Sequence, residues 1–135
     1  MRKDQWDTTV TIDGVAYGTF DQSTGGEADT DELKYKPGGM AAQISLGGIV
    51  TVGALTVSRL YVLERDHVNV HNLLGRVGKA QVVVKKQPLD VDGNAFGRPL
   101  TYNGVLKRVT PPEVDSESTD AALIEIEVTP SGTIT

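Results

Sequence analysis

The stretch "IVTVGALTVSRLYVLERDHVNVHNLLGRVG", Ile49 to Gly78, decides the fold because its hydrophobic period changes in the middle. Its first half, Ile49 to Leu63, is rich in β-branched residues and predicts one long strand that bends at Gly53. In its second half four apolar residues recur at helical spacing and predict one buried helix face. They are Val70, Leu73, Leu74 and Val77. The stretch therefore predicts a β protein that carries one short helix.

Both ends of this helix have residues that favour a boundary. Asp66 is expected to be the N-cap, because an aspartate side chain can accept hydrogen bonds from the free amides of the first turn. Gly78 is expected at the left-handed position that follows a helix, because glycine adopts positive φ without steric cost. The two residues limit the helix to a few turns.

Alternating strands surround this stretch on both sides. Residues 7–20 predict a tight hairpin, in which Asp13 and Gly14 supply the positive φ of a type I′ turn. Near the C-terminus "ALIEIEV", Ala122 to Val128, alternates isoleucine with glutamate and predicts a strand with one buried face. Asn103-Gly104 permits either a second hairpin turn or a continuous bent strand. Mainly β structure follows from these patterns.

The sequence "DQSTGGEADTDELKYKPG", residues 21–38, has no core pattern and predicts a long polar loop. Loops of this length in compact domains are usually functional or disordered, so we expect this one to act in assembly. Its acidic residues precede its basic ones, which allows one copy to lay acidic side chains on a basic edge of the next. The candidate assembly residues are Glu27, Asp29, Asp31, Glu32, Lys34 and Lys36. The following "MAAQISL" is predicted to be a strand between two glycine pairs.

Composition limits the possible classes of protein. With 135 residues the chain fits one domain, from 1 to 135, that can bury a core of its own. The formal charge of −5 opposes tight binding to nucleic acid, whose affinity comes largely from lysine and arginine contacts to phosphate. No apolar run is long enough to span a membrane, and no secretory signal is recognisable, so a soluble protein is expected.

Two groups of residues suggest metal binding, and neither completes a site. His67 and His71 are four residues apart on the predicted helix, but a glutamate in the first position after His67 and a third ligand are missing. "DVDGN", Asp90 to Asn94, resembles the start of a calcium loop, but the twelfth position is Thr101 instead of glutamate. We therefore expect no metal, no cofactor and no enzymatic activity, and we expect "DVDGN" to be a turn.

The order of several motifs carries a resemblance to a known family. They are "KYKPGGM" after an acidic segment, "SLGG", "TVSRLYVLERDH", "LLGRVGKA", "YNGVLKRVTPPEVDSESTDAALIEIEV" and the terminal "PSGTI". This set resembles the tail tube, or major tail, proteins of tailed bacteriophages over nearly the whole chain. Those proteins are similar in fold to the haemolysin-coregulated tube protein of type VI secretion. The resemblance implies two packed antiparallel sheets, or a flattened β-barrel, with one short α-helix, and it favours the continuous strand at Asn103-Gly104.

The resemblance also implies a function and a set of partners. Tail tube proteins are structural virion proteins that form hexameric rings, and the rings stack into a tube through which DNA passes without specific binding. Their other partners are tail proteins such as the tape measure and the tail terminator. The implied location is the virion tail, assembled in the host bacterial cytoplasm.

Three alternatives remain open at the level of sequence. The first is the tube protein of a contractile injection system or a type VI-like secretion system. The second is a monomeric β-sandwich that binds carbohydrate or protein, for which a concentrated aromatic or polar surface is expected. The third is a metal hydrolase that uses His67 and His71.

Overall fold

The computed structural model describes residues 2–30, 33–35, 38–39, 44–46 and 50–134. This part of the chain is mainly β with one short α-helix, as the sequence predicts. The elements in chain order are β1 (Trp6–Ile12), β2 (Val15–Phe20), β3 (Gln22–Gly25), β4 (Ala28–Thr30), β5 (Leu33–Tyr35), β6 (Ile44–Leu46), β7 (Val50–Val52), β8 (Leu55–Leu60), a π-helical turn (Leu63–His67), α1 (Val68–Gly75), β9 (Gln81–Pro88), β10 (Leu100–Thr110) and β11 (Leu123–Ile134).

Seven of these strands form one curled antiparallel sheet, in the order β2-β1-β9-β10-β11-β8-β3. The two edge strands, β2 and β3, are separated along the chain only by Asp21, whose amide donates to the carbonyl of Ser58 at 3.1 Å. The segment 15–25 therefore pairs with β1 at one edge of the sheet and with β8 at the other. This double pairing closes the sheet into a barrel and confirms the predicted flattened β-barrel.

The core fills the inside of this barrel. Alternate residues of five strands point inward and are buried, since successive side chains of a strand lie on opposite faces. The most deeply buried are Val10, Leu55, Val57, Val82, Val84, Leu106, Ile124, Ile126 and Val128. Full burial of one such side chain contributes roughly 1.5–3 kcal/mol, which makes this set the main source of stability. The strand predicted from "ALIEIEV" is confirmed, with its isoleucines inside.

Two turn predictions can be checked directly. Asp13 and Gly14 have φ of 50° and 81° and connect β1 to β2, which confirms the type I′ hairpin. Across Asn103-Gly104 the chain continues as β10 without a turn. A Cβ on Gly104 would collide with the carbonyl oxygen of Thr129 on β11, so glycine here permits close approach of two strands. The continuous-strand alternative is confirmed.

The prediction of one long strand from Ile49 to Leu63 is wrong. The chain forms β7 and β8 with a break at Gly53 and Ala54, and the π-helical turn begins at Leu63. Ile49 itself lies outside the described residues. The break lies opposite Gly25 and Gly26, whose positive φ interrupts the neighbouring strand. The amide of Gly53 still donates to the carbonyl of Glu27 at 2.8 Å, in the register that Gly25↔Leu55 and Ala28↔Val52 share. β7 and β8 thus pair with the successive strands β4 and β3.

Two of the four residues that were predicted to form the buried helix face are exposed. Val70 and Leu73 are buried, with 5% and 3% of their surface exposed, whereas Leu74 and Val77 are 45% and 37% exposed. The helix has only 8 residues and ends at Gly75, so Val77 lies in the turn that follows. Leu74 is one residue, or about 100° of rotation, beyond Leu73 and faces away from the barrel.

The predicted helix boundaries also need correction. Asp66 is not the N-cap of α1; that position is His67, because a π-helical turn precedes the helix. Gly78 has the predicted positive φ of 83°, but it lies beyond the end of α1. Its amide donates to the carbonyl of Leu106 at 2.7 Å, so the turn after the helix is attached to β10.

A buried ion pair attaches the helical segment to the barrel. Arg59 on β8 donates to the Asp66 carboxylate at 2.6 Å, and their side chains are only 3% and 2% exposed. The Arg59 guanidinium also donates to the carbonyl of Tyr17 on β2 and lies 4.3 Å from the centre of the Phe20 ring. Arg65 adds a second ion pair to Asp66 at 3.2 Å. One side chain thus connects β8, β2 and the π-helical turn.

The surroundings of Asp66 favour its charged form. Burial raises the pKa of this carboxyl, but hydrogen bonds from Arg65, the Val62 amide and Arg59, with the charge of Arg59, outweigh burial and leave the pKa below its usual value. Because the folded pKa is lower than the unfolded one, the carboxylate stabilises the fold above the unfolded pKa. This contribution is lost as the pH falls through the folded pKa.

We predict that Asp66→Asn lowers the free energy of unfolding at pH 7 by about 3–5 kcal/mol, because it leaves the Arg59 charge buried without its partner. Urea melts at several pH values measure this effect. The difference from wild type should shrink as the pH falls below 4. The control is Asp4→Asn, whose ion pair with Arg2 is exposed and should contribute little. Equal losses in the two variants would contradict the role given to Asp66.

The corrected helix face gives a second prediction. Leu73→Ala should lower the free energy of unfolding by about 2–5 kcal/mol, since it leaves a cavity in the core. Leu74→Ala, the matched control one residue away, should change it by no more than about 0.5 kcal/mol. Thermal melts decide the question. A larger loss for Leu74→Ala than for Leu73→Ala would show that the helix is rotated from its assigned orientation.

Candidate functional site

The region predicted as a loop is one side of a long β-ribbon. β3 pairs with β8 up to Gly25↔Leu55, β4 pairs with β7 from Ala28↔Val52 to Thr30↔Val50, and β5 pairs with β6. The pairs nest inside one another, so β3, β4 and β5 run out and β6, β7 and β8 run back. We call the described part beyond the barrel, within residues 26–54, the arm. The prediction of a polar loop over residues 21–38 is therefore wrong for the residues that form β3, β4 and β5.

The sequence misled here because β4 and β7, the strands of the arm whose side chains are described, have no fully buried face. The described side chains of β4 and β7 are exposed, apart from that of Val52, which is half-buried against the core. Without a buried face no hydrophobic alternation arises, and alternation is the main sequence signal of a strand. On the returning side two strand predictions hold in the described residues. Ile44–Leu46 of the predicted strand "MAAQISL" forms β6, and the β-branched Val50, Thr51 and Val52 form β7.

Two glycines let the arm leave the barrel. A Cβ on Gly25 would collide with the carbonyl oxygen of Ala54, and a Cβ on Gly26 would lie 2.9 Å from the ring of Tyr102. Both residues have positive φ, 86° and 79°, which other residues rarely adopt. The Tyr102 hydroxyl donates to the carbonyl of Gly26 at 3.0 Å, so the base of the arm is fixed to β10.

Burial keeps the Tyr102 hydroxyl protonated. Burial, with a smaller contribution from the charge of Glu27, raises the pKa of Tyr102. Lys86 on β9 lies with its ammonium 5.9 Å from the centre of the same ring, and burial lowers its pKa. The phenol therefore remains a hydrogen-bond donor to the arm at all physiological pH values.

The structure places only part of the predicted assembly set. Glu27 and Asp29 are exposed on the outgoing side of the arm, and the Asp29 carboxylate accepts from the amide of Thr30 at 2.9 Å. Lys34 is the middle residue of β5. Asp31, Glu32 and Lys36 lie outside the described residues. Of the acidic residues, Asp29 thus lies on an exposed strand and Glu27 directly before it. The role of all six residues remains a prediction.

The arm is chemically suited to pair with another chain. Among the described strands, β4 pairs only with β7 and β5 only with β6. A two-stranded ribbon is marginally stable by itself in water. The edge of such a ribbon presents amides and carbonyls that another strand can pair with. β7 lies beside β11, which supports the arm on one side near its base.

The residues considered for metal binding do not come together with further ligands. His67 and His71 are exposed, their ring centres are 5.8 Å apart, and His67 Nδ1 is 2.8 Å from the Tyr61 hydroxyl. Within the described ranges, no group of three or more histidine or acidic side chains is placed to hold a metal ion. "DVDGN" forms the predicted turn, in which Asp90 Oδ1 accepts from the amides of Asp92 and Asn94.

Sequence reasoning missed two surface features. Phe96 stands on the turn between β9 and β10 with 69% of its surface exposed. A groove of about 470 Å³ lies under the loop formed by residues 111–122, beside β11 and β8. Neither feature has a periodic signal, because each depends on how a loop folds back on the sheet.

In the described part of the chain, no helix is both long and apolar enough to cross a membrane.

The fold is similar to that of chains in phage-tail-like assemblies. It matches a chain in the anti-feeding prophage baseplate with a TM-score of 0.73 and 12% identity, covering 100% of this chain and 93% of that one. A chain from the tube-terminating cap of the same particle gives 0.72 and 14%, covering 100% and 89%. A chain from the sheath-tube complex of an extracellular contractile injection system gives 0.70 and 13%, with the same coverage. The chain therefore has a tail-tube-like fold, as the sequence resemblance predicted.

No known family model matches the sequence, and no curated protein matches it significantly. The structural likeness at 12–14% identity shows the fold alone.

The anchor at Tyr102 generates a prediction about the arm. Tyr102→Phe removes the hydrogen bond to the buried carbonyl of Gly26 and should lower the free energy of unfolding by roughly 1–3 kcal/mol. It should also speed tryptic cleavage at Lys34, because the base of the arm is released. Tyr61→Phe is the matched control, since its hydroxyl contacts an exposed histidine. Cleavage at the wild-type rate in Tyr102→Phe would show that Tyr102 does not fix the arm.

Proposed function

We propose that the protein is the structural subunit of a self-assembled tube, in which the arm of one copy contacts the next copy. The observation that carries this proposal is a β-ribbon that extends beyond a closed barrel and whose strands β4 and β7 have no buried side chain among the described residues. Such a ribbon costs about 1–2 kcal/mol of backbone entropy per ordered residue, and contact with a neighbour offsets this cost. The similarity to chains in tube, cap and baseplate assemblies supports the same role.

The proposed assembly consists of hexameric rings that stack, with the strands of neighbouring copies joined around a lumen. In a tailed phage the tube would conduct DNA, and the tape measure and tail terminator would be its partners. The net charge of −5 supports passage of a polyanion without tight binding. The tube is assembled in the cytoplasm of the host bacterium and becomes part of the virion tail.

A contractile injection system is the second candidate for the same tube role. It is favoured by the source of the similar chains, two from the anti-feeding prophage and one from another contractile system. In both candidates the protein acts by assembly and catalyses no reaction. The exposed, incomplete histidine pair gives the metal hydrolase no support.

Negative-stain electron microscopy of the concentrated wild-type protein tests this function. We expect rings and stacked tubes, whereas monomers of 14.4 kDa at every concentration would overturn the proposal. The double variant Glu27→Lys/Asp29→Lys should fold like wild type, since both side chains are exposed, but should form fewer and shorter tubes. Glu64→Lys/Glu117→Lys is the control with the same change in charge elsewhere on the surface. Equal tube lengths in the two double variants would remove the acidic arm residues from the mechanism.

A further inference from the structure

The ribbon of β4 and β7 has two different faces. Residues that pair directly across two antiparallel strands lie on the same face, and successive residues of a strand lie on opposite faces. One face, which we call the valine face, is formed by Ala28, Thr30, Val50 and Val52. Asp29 and its partner Thr51 lie on the other face. The valine face therefore carries no charged residue.

The barrel of the same copy covers only the base of the valine face. Val52 is half-buried and packs against the core, whereas Val50, two residues further out, is 51% exposed. Ala28 and Thr30 on the partner strand are exposed as well. In a single copy this face leaves apolar surface in contact with water, and a two-stranded ribbon becomes stable when it packs on another surface.

The pairing of β5 with β6 repeats this two-sided arrangement further along the arm. By register, one face has four apolar positions, which are those of Leu33, Tyr35, Ile44 and Leu46. Lys34 and Ser45 pair on the opposite face. Strands of three residues are too short for this period to be recognised in the sequence, so the pairing register is needed to see it.

The barrel wall carries an exposed apolar pair that is suited to contact such a face. Leu60 on β8 and Leu123 on β11 are direct cross-strand partners, and they are 47% and 46% exposed. Among the strand pairs that the structure describes, only this one joins two large exposed apolar residues. The next outward pair, Ser58 and Glu125, is polar. The two leucines thus form a small, bounded apolar patch, which we call the leucine pair.

The valine face and the leucine pair of one copy lie at opposite ends of β8. β4 and β7 lie beyond the Leu55 end of this strand, and Leu60 is its last residue. A strand of 6 residues spans about 20 Å. A contact between the two surfaces therefore joins different copies, and it is heterologous, because two different surfaces meet. Heterologous contacts repeat from copy to copy and build rings or filaments.

We propose that the valine face of one copy packs on the leucine pair of a second copy. Contact of Val50 with Leu60 and Leu123 removes apolar surface from water on both copies, and the valine face brings no charge into it. Both surfaces belong to this chain and cannot meet within one copy, so a second copy supplies the complementary half of each. The inference rests on the proposed tube function and names the contact that the arm makes.

Substitutions on the two faces of β7 test this contact. Val50→Asn and Thr51→Asn alter neighbouring exposed residues without a change in charge, so both variants should melt like wild type. Val50→Asn should need at least a tenfold higher protein concentration to assemble, because it places an amide in an apolar contact. Thr51→Asn, the matched control, should assemble like wild type. Equal assembly of the two variants would overturn the contact.

Disulfide trapping supplies a second measurement, because the chain contains no cysteine. In the double variant Val50→Cys/Leu123→Cys, mild oxidation of the concentrated protein should give a ladder of disulfide-linked oligomers. The control Thr51→Cys/Leu123→Cys keeps the same site on the barrel and moves the other cysteine to the opposite face of the arm, so it should give no ladder. Equal crosslinking in both variants, or none in the first, would contradict the proposed contact.

The two measurements separate this contact from the proposed function. If wild-type protein forms tubes while Val50→Asn assembles normally and the first cysteine pair stays unlinked, the contact is wrong and the tube function stands. If the wild type forms no tubes but this cysteine pair still links copies, the contact stands and the tube function is wrong.

Discussion

Each strand of a closed barrel needs a hydrogen-bonded neighbour on both sides. Residues 15–25 supply the missing neighbour at both edges of the sheet. This one segment pairs with β1 through its first part and with β8 through its second, with only Asp21 between them. Closure leaves the core sealed from water on all sides of the sheet. It also determines the position of the arm. Beyond Gly25 the chain leaves the seven-stranded sheet, and β4 pairs with β7 in a separate two-stranded sheet.

The arm and the helix are two consequences of this closure. On one side, the ribbon continues past the barrel, and a two-stranded ribbon can pair with a strand of another chain. On the other side, β8 ends at Leu60 and the chain turns into a helical segment. The buried pair of Arg59 and Asp66 fixes that segment and reaches across to β2, so it also supports the edge where the barrel closes. Stability thus depends on the helical segment that follows β8, and assembly depends on the arm between β3 and β8.

The sequence predicted those parts of the fold whose signal is local. The alternation of Ile124 and Ile126 with glutamates and the Asp13-Gly14 pair identified a strand and a hairpin, because side-chain period and backbone φ depend on neighbouring residues. The period of Leu73 and Leu74 indicated a helix, but it did not tell which of the two faces the barrel, since that depends on how a short helix is attached.

The candidate site was harder to predict because it depends on distant pairing. Of the predicted acidic residues Asp29 lies in β4, but nothing in residues 21–38 alone shows that it pairs with Thr51. Exposed Phe96 and the groove under residues 111–122 belong to loops, whose surfaces depend on the completed fold. The tail-tube resemblance supplied the global fold that local patterns could not, and the structural comparisons agree with it.

The central claim is that the arm is completed by a neighbouring copy. Hydrogen–deuterium exchange, measured on the monomer and on the assembled protein, tests it most directly. In the monomer the amides of β4 and β7 should exchange quickly while those of β9 and β11 are protected, because only the latter strands lie inside the closed sheet. In the assembly the β4 and β7 amides should become protected as well. Protection of these amides that is equally strong in the monomer, or equally weak in the assembly, would contradict the claim.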